Sequence, residues 1–198
     1  NPVVEGVSDN GSLNTSTTTS VPIMTSNIAP LGIVSSSTAL APAFQAFDDT
    51  SLAYTSDGTT CWLQYQFSIP SIINKYQLLP YNMGLDRSPK GWTIKASNTG
   101  AFTGEEVILD TRANITGWVV GTYKTFDFIN STEYLYYRID VTLNSGSLNY
   151  VSIEELKLIK APIQYDLTYP TQTAPTRIAL ANNDIVPTVA SDVFDGTD

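Results

Sequence analysis

Hydrophobic and polar positions alternate with a period of two through the middle of the chain. In WLQYQF, Leu63, Tyr65 and Phe67 alternate with Gln64 and Gln66, the period of a strand with one buried face. KYQLL continues the run, and WTIKAS sets Trp92, Ile94 and Ala96 on one face. VILDT and TFDFI follow, and YLYYRIDV sets Leu135, Tyr137, Ile139 and Val141 against Tyr134, Tyr136, Arg138 and Asp140. Nothing between these segments reads as a helix longer than a turn or two. Short strands separated by Pro, Gly and Asn signals predict an all-β domain. The expectation is an antiparallel β-sandwich over residues 21–160, with Leu63, Tyr65, Phe67, Trp92, Ile94, Leu135, Tyr137 and Ile139 pointing inward. Residues 1–20, rich in Ser, Thr, Asn and Gly without sustained periodicity, read as a linker or extended arm.

Composition narrows the function. The chain has 198 residues, 42% of them hydrophobic, enough for a real core. Its formal net charge is -9 with only 10 Lys and Arg and no basic cluster, which argues against nucleic acid or anionic membrane as a partner, because both need a positive field. Neither a spanning helix nor a signal peptide is visible. The complete absence of histidine removes Ser/His/Asp triads, Cys/His dyads and ordinary zinc sites. The single cysteine, Cys61, has no internal disulfide partner and reads as a small buried hydrophobe. Asp48/Asp49, Glu105/Glu106 and Glu154/Glu155 are paired in sequence, but neighbours on a strand point to opposite faces, whereas a glycosidase needs two carboxylates across a cleft. The chain is therefore expected not to be an enzyme.

MTSNIAP, AFQAFDDT, WLQYQF, LDRSPKGWTIKASNTG, YLYYRIDV and VSIEELKLI, in that order, resemble the coagulation factor 5/8 type C family, also called discoidin or galactose-binding-like domains. The similarity is greatest to the versions in bacteriophage and prophage tail or fibre proteins. The resemblance implies a jelly-roll sandwich whose end loops bind ligands, most often sugars. Animal members usually close the domain with a cysteine pair, which this chain lacks; that favours a microbial or viral origin.

The family commonly holds a structural calcium between its first loop and last strand. Carried over, the ligands are the carbonyl of Gln45, the side chains of Asp48 and Thr50, the carbonyls of Ala53 and Glu154, and the carboxylate of Glu155, an all-oxygen set suited to a hard cation. Many members have threonine where Ala53 stands. In a plainer reading Asp48 caps its loop through backbone N–H groups and Glu155 is solvated.

Sugars are held by aromatic faces and planar polar side chains. The loops offer Tyr54, then Tyr81, Asn82, Asp86 and Arg87 from YNMGLDRSPK, and Trp118 and Tyr123 from GWVVGTY. Each has an ordinary alternative: Trp118 and Tyr123 as core at a strand start, Arg87 paired with Asp86 or a backbone carbonyl. Many relatives use a histidine at this site, so a preference for galactose does not carry over.

ASDVFDGT near the end of the chain nearly repeats AFQAFDDT, and aligning Ala29-Pro30 with Ala174-Pro175 leaves two extra residues in the second copy. Residues 161–198 are thus expected to be a linker and the start of a second repeat, unless the likeness is chance. The expected function is a non-catalytic carbohydrate-binding module of a phage fibre or tail protein at the virion surface, adhering to a bacterial surface glycan. It would contact other virion proteins through the arm and oligomerise through other parts of the full-length protein. The alternatives are a structural spacer or decoration protein of the virion that binds no sugar, and an accessory module of a secreted microbial glycoside hydrolase.

Overall fold

The computed structural model describes residues 19–160. Their strands are β1 (Ile33–Ser36), β2 (Tyr54–Thr55), β3 (Cys61–Ser71), β4 (Lys75–Pro80), β5 (Pro89–Ser97), β6 (Val107–Arg112), β7 (Lys124–Asp127), β8 (Tyr134–Asn144) and β9 (Ser152–Ile159). Two short 3-10 turns, Ala43–Ala46 and Leu85–Arg87, are the only helical elements among the described residues. One sheet runs β1-β3-β8-β5-β6 and the other β2-β9-β4-β7, and every pairing is antiparallel. The fold is the expected all-β, two-sheet jelly-roll sandwich. The arm up to residue 18 and the repeat expected in residues 161–198 lie outside the described residues. Thr19 bridges to Ile159, and the Ser20 N–H donates to the Leu158 carbonyl at 2.8 Å, so Thr19 and Ser20, expected in the arm, pair with the sandwich.

Alternation sets the core. Leu63, Tyr65 and Phe67 of β3, Trp92, Ile94 and Ala96 of β5, and Tyr137, Ile139 and Val141 of β8 are all buried, and Leu63 faces Ile139 as Tyr65 faces Tyr137. Tyr76, Leu78, Phe126, Ile153, Leu156 and Leu158 meet them from the second sheet. Burying each such side chain contributes about 1.5–3 kcal/mol. The aromatic rings also contact one another, Tyr65 with Phe67 at 4.8 Å and Trp92 with Phe126 at 5.2 Å, both edge to face, the arrangement the ring quadrupoles favour. Their polar tips are satisfied: Tyr65 donates to the Leu31 carbonyl, Tyr137 to that of Ser71, and the Trp92 indole to the Tyr76 hydroxyl, each at 2.7 Å. Cys61 is buried, as expected, and burial pushes its thiol up to about 11, leaving it an inert hydrophobe.

Leu135 departs from the expected inward set. It is only half-buried, whereas Tyr134 packs against the core, its ring edge-to-face with Tyr137 at 6.0 Å. The cause is a break in pairing: Gln66 faces Tyr136 but Ser71 is the next partner, facing Tyr134, so β3 bows out there and the alternation of β8 no longer meets a flat neighbour.

A second irregularity bears on the candidate metal loop. Leu79 faces Glu155, yet Pro80 faces Ile153, so β9 carries an extra residue at Glu154. The bulge changes the phase of the strand: Val151 and Ile153 reach the core before it, Leu156 and Leu158 after it.

Antiparallel pairing brings the β2–β3, β4–β5, β6–β7 and β8–β9 connections to one end of the sandwich.

Candidate functional site

The segment from Ala43 to Ala53 packs its 3-10 turn against β9, bringing the Asp48–Thr50 loop to Glu155. Asp48 Oδ1 accepts the Thr50 N–H at 3.0 Å and the Thr50 hydroxyl at 2.8 Å, and Asp49 adopts a left-handed φ of 53° that turns its N–H onto Glu155 Oε2 at 3.1 Å. Tyr54 pairs with Ile153, which sets Ala53 beside Glu154. The plainer reading is half right. Asp48 does cap the loop, but Glu155 is not solvated: it is 4% exposed. Burial, with the charges of Asp49 and Asp48 adding to it, pushes its carboxyl up to about 8 against the Asp49 N–H and Lys157. A buried carboxyl beside two further carboxylates is short of positive charge, which a proton or a hard cation supplies. Among the described residues no group of three or more His, Cys, Asp or Glu could hold a metal. An ion here would draw on two carboxylates, those of Asp48 and Glu155, the Thr50 hydroxyl, and the carbonyls of Gln45, Ala53 and Glu154. The Glu154 carboxylate turns elsewhere, accepting the Asn82 N–H at 3.1 Å.

The expected sugar ligands separate into groups. Tyr54 is fully buried, its hydroxyl donating to the Thr38 carbonyl at 2.8 Å, so neither ring face is open to a ligand. Trp118 is core as well: it packs against Trp92 at 6.5 Å and its indole N–H donates to the Pro89 carbonyl at 3.0 Å. Tyr123 is half-buried on the flank, its ring 4.8 Å from Lys157 Nζ. A cleft of about 120 Å³, lined by Val21, Phe47, Asp49, Glu155 and Lys157 among others, also lies by this flank. Tyr81 is half-buried and donates to Met83 Sδ at 3.2 Å, while the Asn82 side chain is exposed.

Asp86 and Arg87 belong to the loop end. The Ser147 N–H donates to the Asp86 carbonyl at 3.0 Å, the Ser145 N–H to the Ser88 carbonyl at 2.9 Å, and the Gly58 N–H to the Asn149 carbonyl at 3.0 Å, lacing three connections into one surface. The Arg87 guanidinium does not pair with Asp86; it lies 5.0 Å from the centroid of the Tyr150 ring, with no carboxylate in ion-pair reach among the described residues. Tyr150 and Asn149 were not among the expected ligands. The available signal was an Asn-Tyr step closing the turn-rich SGSLNY. A ring, a guanidinium with unspent N–H groups, and the exposed Asp57, Asp86 and Asn149 make an arrangement able to stack on and hydrogen-bond a polyhydroxylated ligand.

The paired acids of the β5–β6 loop have local work. Glu105 accepts from the hydroxyls of Ser97 and Thr99, both at 2.7 Å, and from the N–H groups of Phe102 and Thr103, which hold its carboxyl well below the usual range. Glu106 accepts the Gly104 N–H at 2.7 Å.

No protein-family model matches the sequence, and no curated protein matches it. Solved structures do. A family 32 carbohydrate-binding module from Clostridium perfringens, in complex with GalNAc-beta-1,3-galactose, superposes with a TM-score of 0.56 at 16% identity over 65% of this chain and 95% of its own. The chitosan-binding module 1 of a chitosanase/glucanase from Paenibacillus sp. IK-5 gives 0.54 at 17% identity over 68% and 98%. The family 32 module of NanJ from C. perfringens, in complex with galactose, gives 0.52 at 17% over 65% and 93%. At these identities the likeness is one of architecture: the described chain has the β-sandwich fold of galactose-binding-like, discoidin-type modules.

Proposed function

We propose that the chain is a non-catalytic carbohydrate-binding module that holds a glycan at its loop end through Arg87, Tyr150, Asp86 and Asn149. The observation that carries this reading is the stacking of Arg87 on Tyr150 at 5.0 Å with no carboxylate among the described residues to neutralise it, a charged and planar donor held in place by a ring.

The setting we favour is an accessory module of a secreted carbohydrate-active enzyme. The superposing structures include modules from a chitosanase/glucanase, a family 31 glycoside hydrolase and a chain with an alginate lyase domain. The phage-fibre setting rests on the quoted sequence segments alone. Among the described residues no helix is long and apolar enough to cross a membrane. Calcium belongs to the proposal as a structural ion at the Asp48–Glu155 loop, where it would brace the fold without joining the sugar site.

The test displays the full chain multivalently on beads against a glycan array, because a shallow site with a dissociation constant of about 0.1–1 mM gives measurable retention only through avidity. Selective retention on some glycans, lost in the Arg87→Ala, Tyr150→Ala double variant with its melting temperature unchanged, is expected. Retention on no glycan, or retention indifferent to both substitutions, overturns the assignment.

A further inference from the structure

The outer face of the five-stranded sheet carries a second set of binding-type groups, separate from the loop end. Because Leu63, Tyr65 and Phe67 point inward, Trp62, Gln64 and Gln66 line the solvent side of β3, over about 13 Å at the usual rise of a strand. Across the ladder they face Asp140, Arg138 and Tyr136, and Lys95 lies beside Arg138 on β5.

The charges on this face are closed on one another. Arg138 Nε lies 2.6 Å from Asp140 Oδ1, and Lys95 Nζ lies 2.9 Å from Asp140 Oδ2 and 3.5 Å from Glu106 Oε1. The Arg138 guanidinium is also held between two rings, 4.2 Å from the centroid of Phe102 and 5.2 Å from that of Trp62. Two cations thus balance two carboxylates, and the cluster is without net charge.

The polar groups between the rings are not closed. Trp62, Gln64, Gln66 and Tyr136 are half-buried residues, and the indole N–H, the two carboxamides and the Tyr136 hydroxyl make no side-chain hydrogen bond within the described residues. Carboxamides donate and accept in one plane, as ring hydroxyls require. Of the large exposed aliphatic side chains on this sheet, Ile33, Val107 and Ile108 stand on the edge strands β1 and β6, and Ile69 and Leu143 lie towards the ends of β3 and β8, so the stretch from Trp62 to Gln66 lacks the apolar centre on which protein interfaces are built. With no excess of positive charge it offers nothing to an acidic polymer.

We propose that this face is a second carbohydrate-binding surface, which takes an uncharged oligosaccharide along β3 on Trp62, Gln64, Gln66 and Tyr136. It stands independently of the loop-end site.

Heteronuclear NMR of the full chain reads it directly, because the two carboxamides and the indole N–H give their own signals. The probes are short oligomers of glucose, xylose, galactose, mannose and N-acetylglucosamine. Saturable shifts of the Gln64, Gln66 and Trp62 side-chain signals are expected with at least one of them, and they should persist in the Arg87→Ala, Tyr150→Ala variant. The Gln64→Ala, Gln66→Ala variant should weaken that binding by about ten- to a hundredfold through the loss of its hydrogen bonds. It keeps the fold because neither side chain has a partner to lose; a Gln66→Glu variant serves as a second check. Shifts confined to the loop end would overturn this proposal and leave the loop-end reading standing. No shift anywhere with any probe overturns this proposal, while the loop-end reading is decided by the glycan array. Face signals that respond to protein concentration rather than to sugar would assign the face to a second copy of the chain and overturn the proposal as well.

Discussion

Arg87 and Tyr150 meet at 5.0 Å across the top of the sandwich, and what holds them is backbone rather than side chain. The Ser147 N–H on the Asp86 carbonyl and the Ser145 N–H on the Ser88 carbonyl clamp the β4–β5 connection to the β8–β9 connection. The stack itself contributes only about 0.5–1 kcal/mol, so its value is in aiming the guanidinium. Arg87→Lys should therefore fail to replace arginine, because an ammonium keeps the charge but loses the planar fork. Retention on the cognate glycan is expected to fall by about tenfold or more in Arg87→Lys and Tyr150→Ala and to survive in Tyr150→Phe. Equal retention by Arg87→Lys and the parent chain would show that charge alone suffices.

Trp118 is expected to behave as a core residue. Trp118→Ala should cost about 3–5 kcal/mol in denaturant unfolding. Trp118→Phe, which keeps most of the apolar contact but orphans the Pro89 carbonyl that the indole now satisfies, should cost about 1–3 kcal/mol. A Trp118→Ala chain of unchanged stability would place the side chain at the surface after all.

Gly32 is fixed by the ring it lies against. Its φ is +82°, and a Cβ there would overlap the Tyr65 hydroxyl and sit 2.7 Å from the Gln66 carbonyl oxygen. The hydroxyl has no free direction to yield, since it donates to the Leu31 carbonyl at 2.7 Å. Gly32→Ala combines left-handed strain with overpacking and should destabilise by about 2–5 kcal/mol, read as a lowered melting temperature.

The strands were legible in the sequence because a period of two is a local property: β3, β5 and most of β8 follow from their own residues. Leu135 was misread because the pairing break opposite it is a property of β3. Trp118 and Tyr54 look in sequence like any aromatic beside a turn. That each donates its polar tip to a distant carbonyl, of Pro89 and of Thr38, is fixed only by the fold. Tyr150 was passed over for the converse reason: its partner Arg87 lies far away in the chain. Glu154 and Glu155 sit at a bulge, and their carboxylates serve the N–H groups of Asn82 and Asp49 in two different loops. A bulge is set by the strand opposite, and no periodicity in β9 announces it.

Glu155 gives the calcium proposal a test with a definite sign. Its carboxyl rises from an ordinary 4.5 to about 8 in the folded chain, chiefly by burial, so the fold favours the protonated form. Without a cation, this contribution to stability is fully present below pH 4.5 and is lost as pH rises towards about 8, where folding must bury a carboxylate at a cost on the order of a few kcal/mol. A cation bound by the Glu155 and Asp48 carboxylates replaces the proton and removes that cost, and binding only the folded chain adds its own stabilisation. In chelator, the melting temperature should therefore fall between pH 5 and 8, and calcium should restore it at pH 8 while doing little at pH 5. Glu155→Gln keeps the shape without the charge. It should flatten the pH dependence in chelator and abolish the response to calcium. Identical transitions with and without calcium at pH 8 would remove the ion from the proposal. A pH slope that survived in Glu155→Gln would assign the titration to another group of the loop.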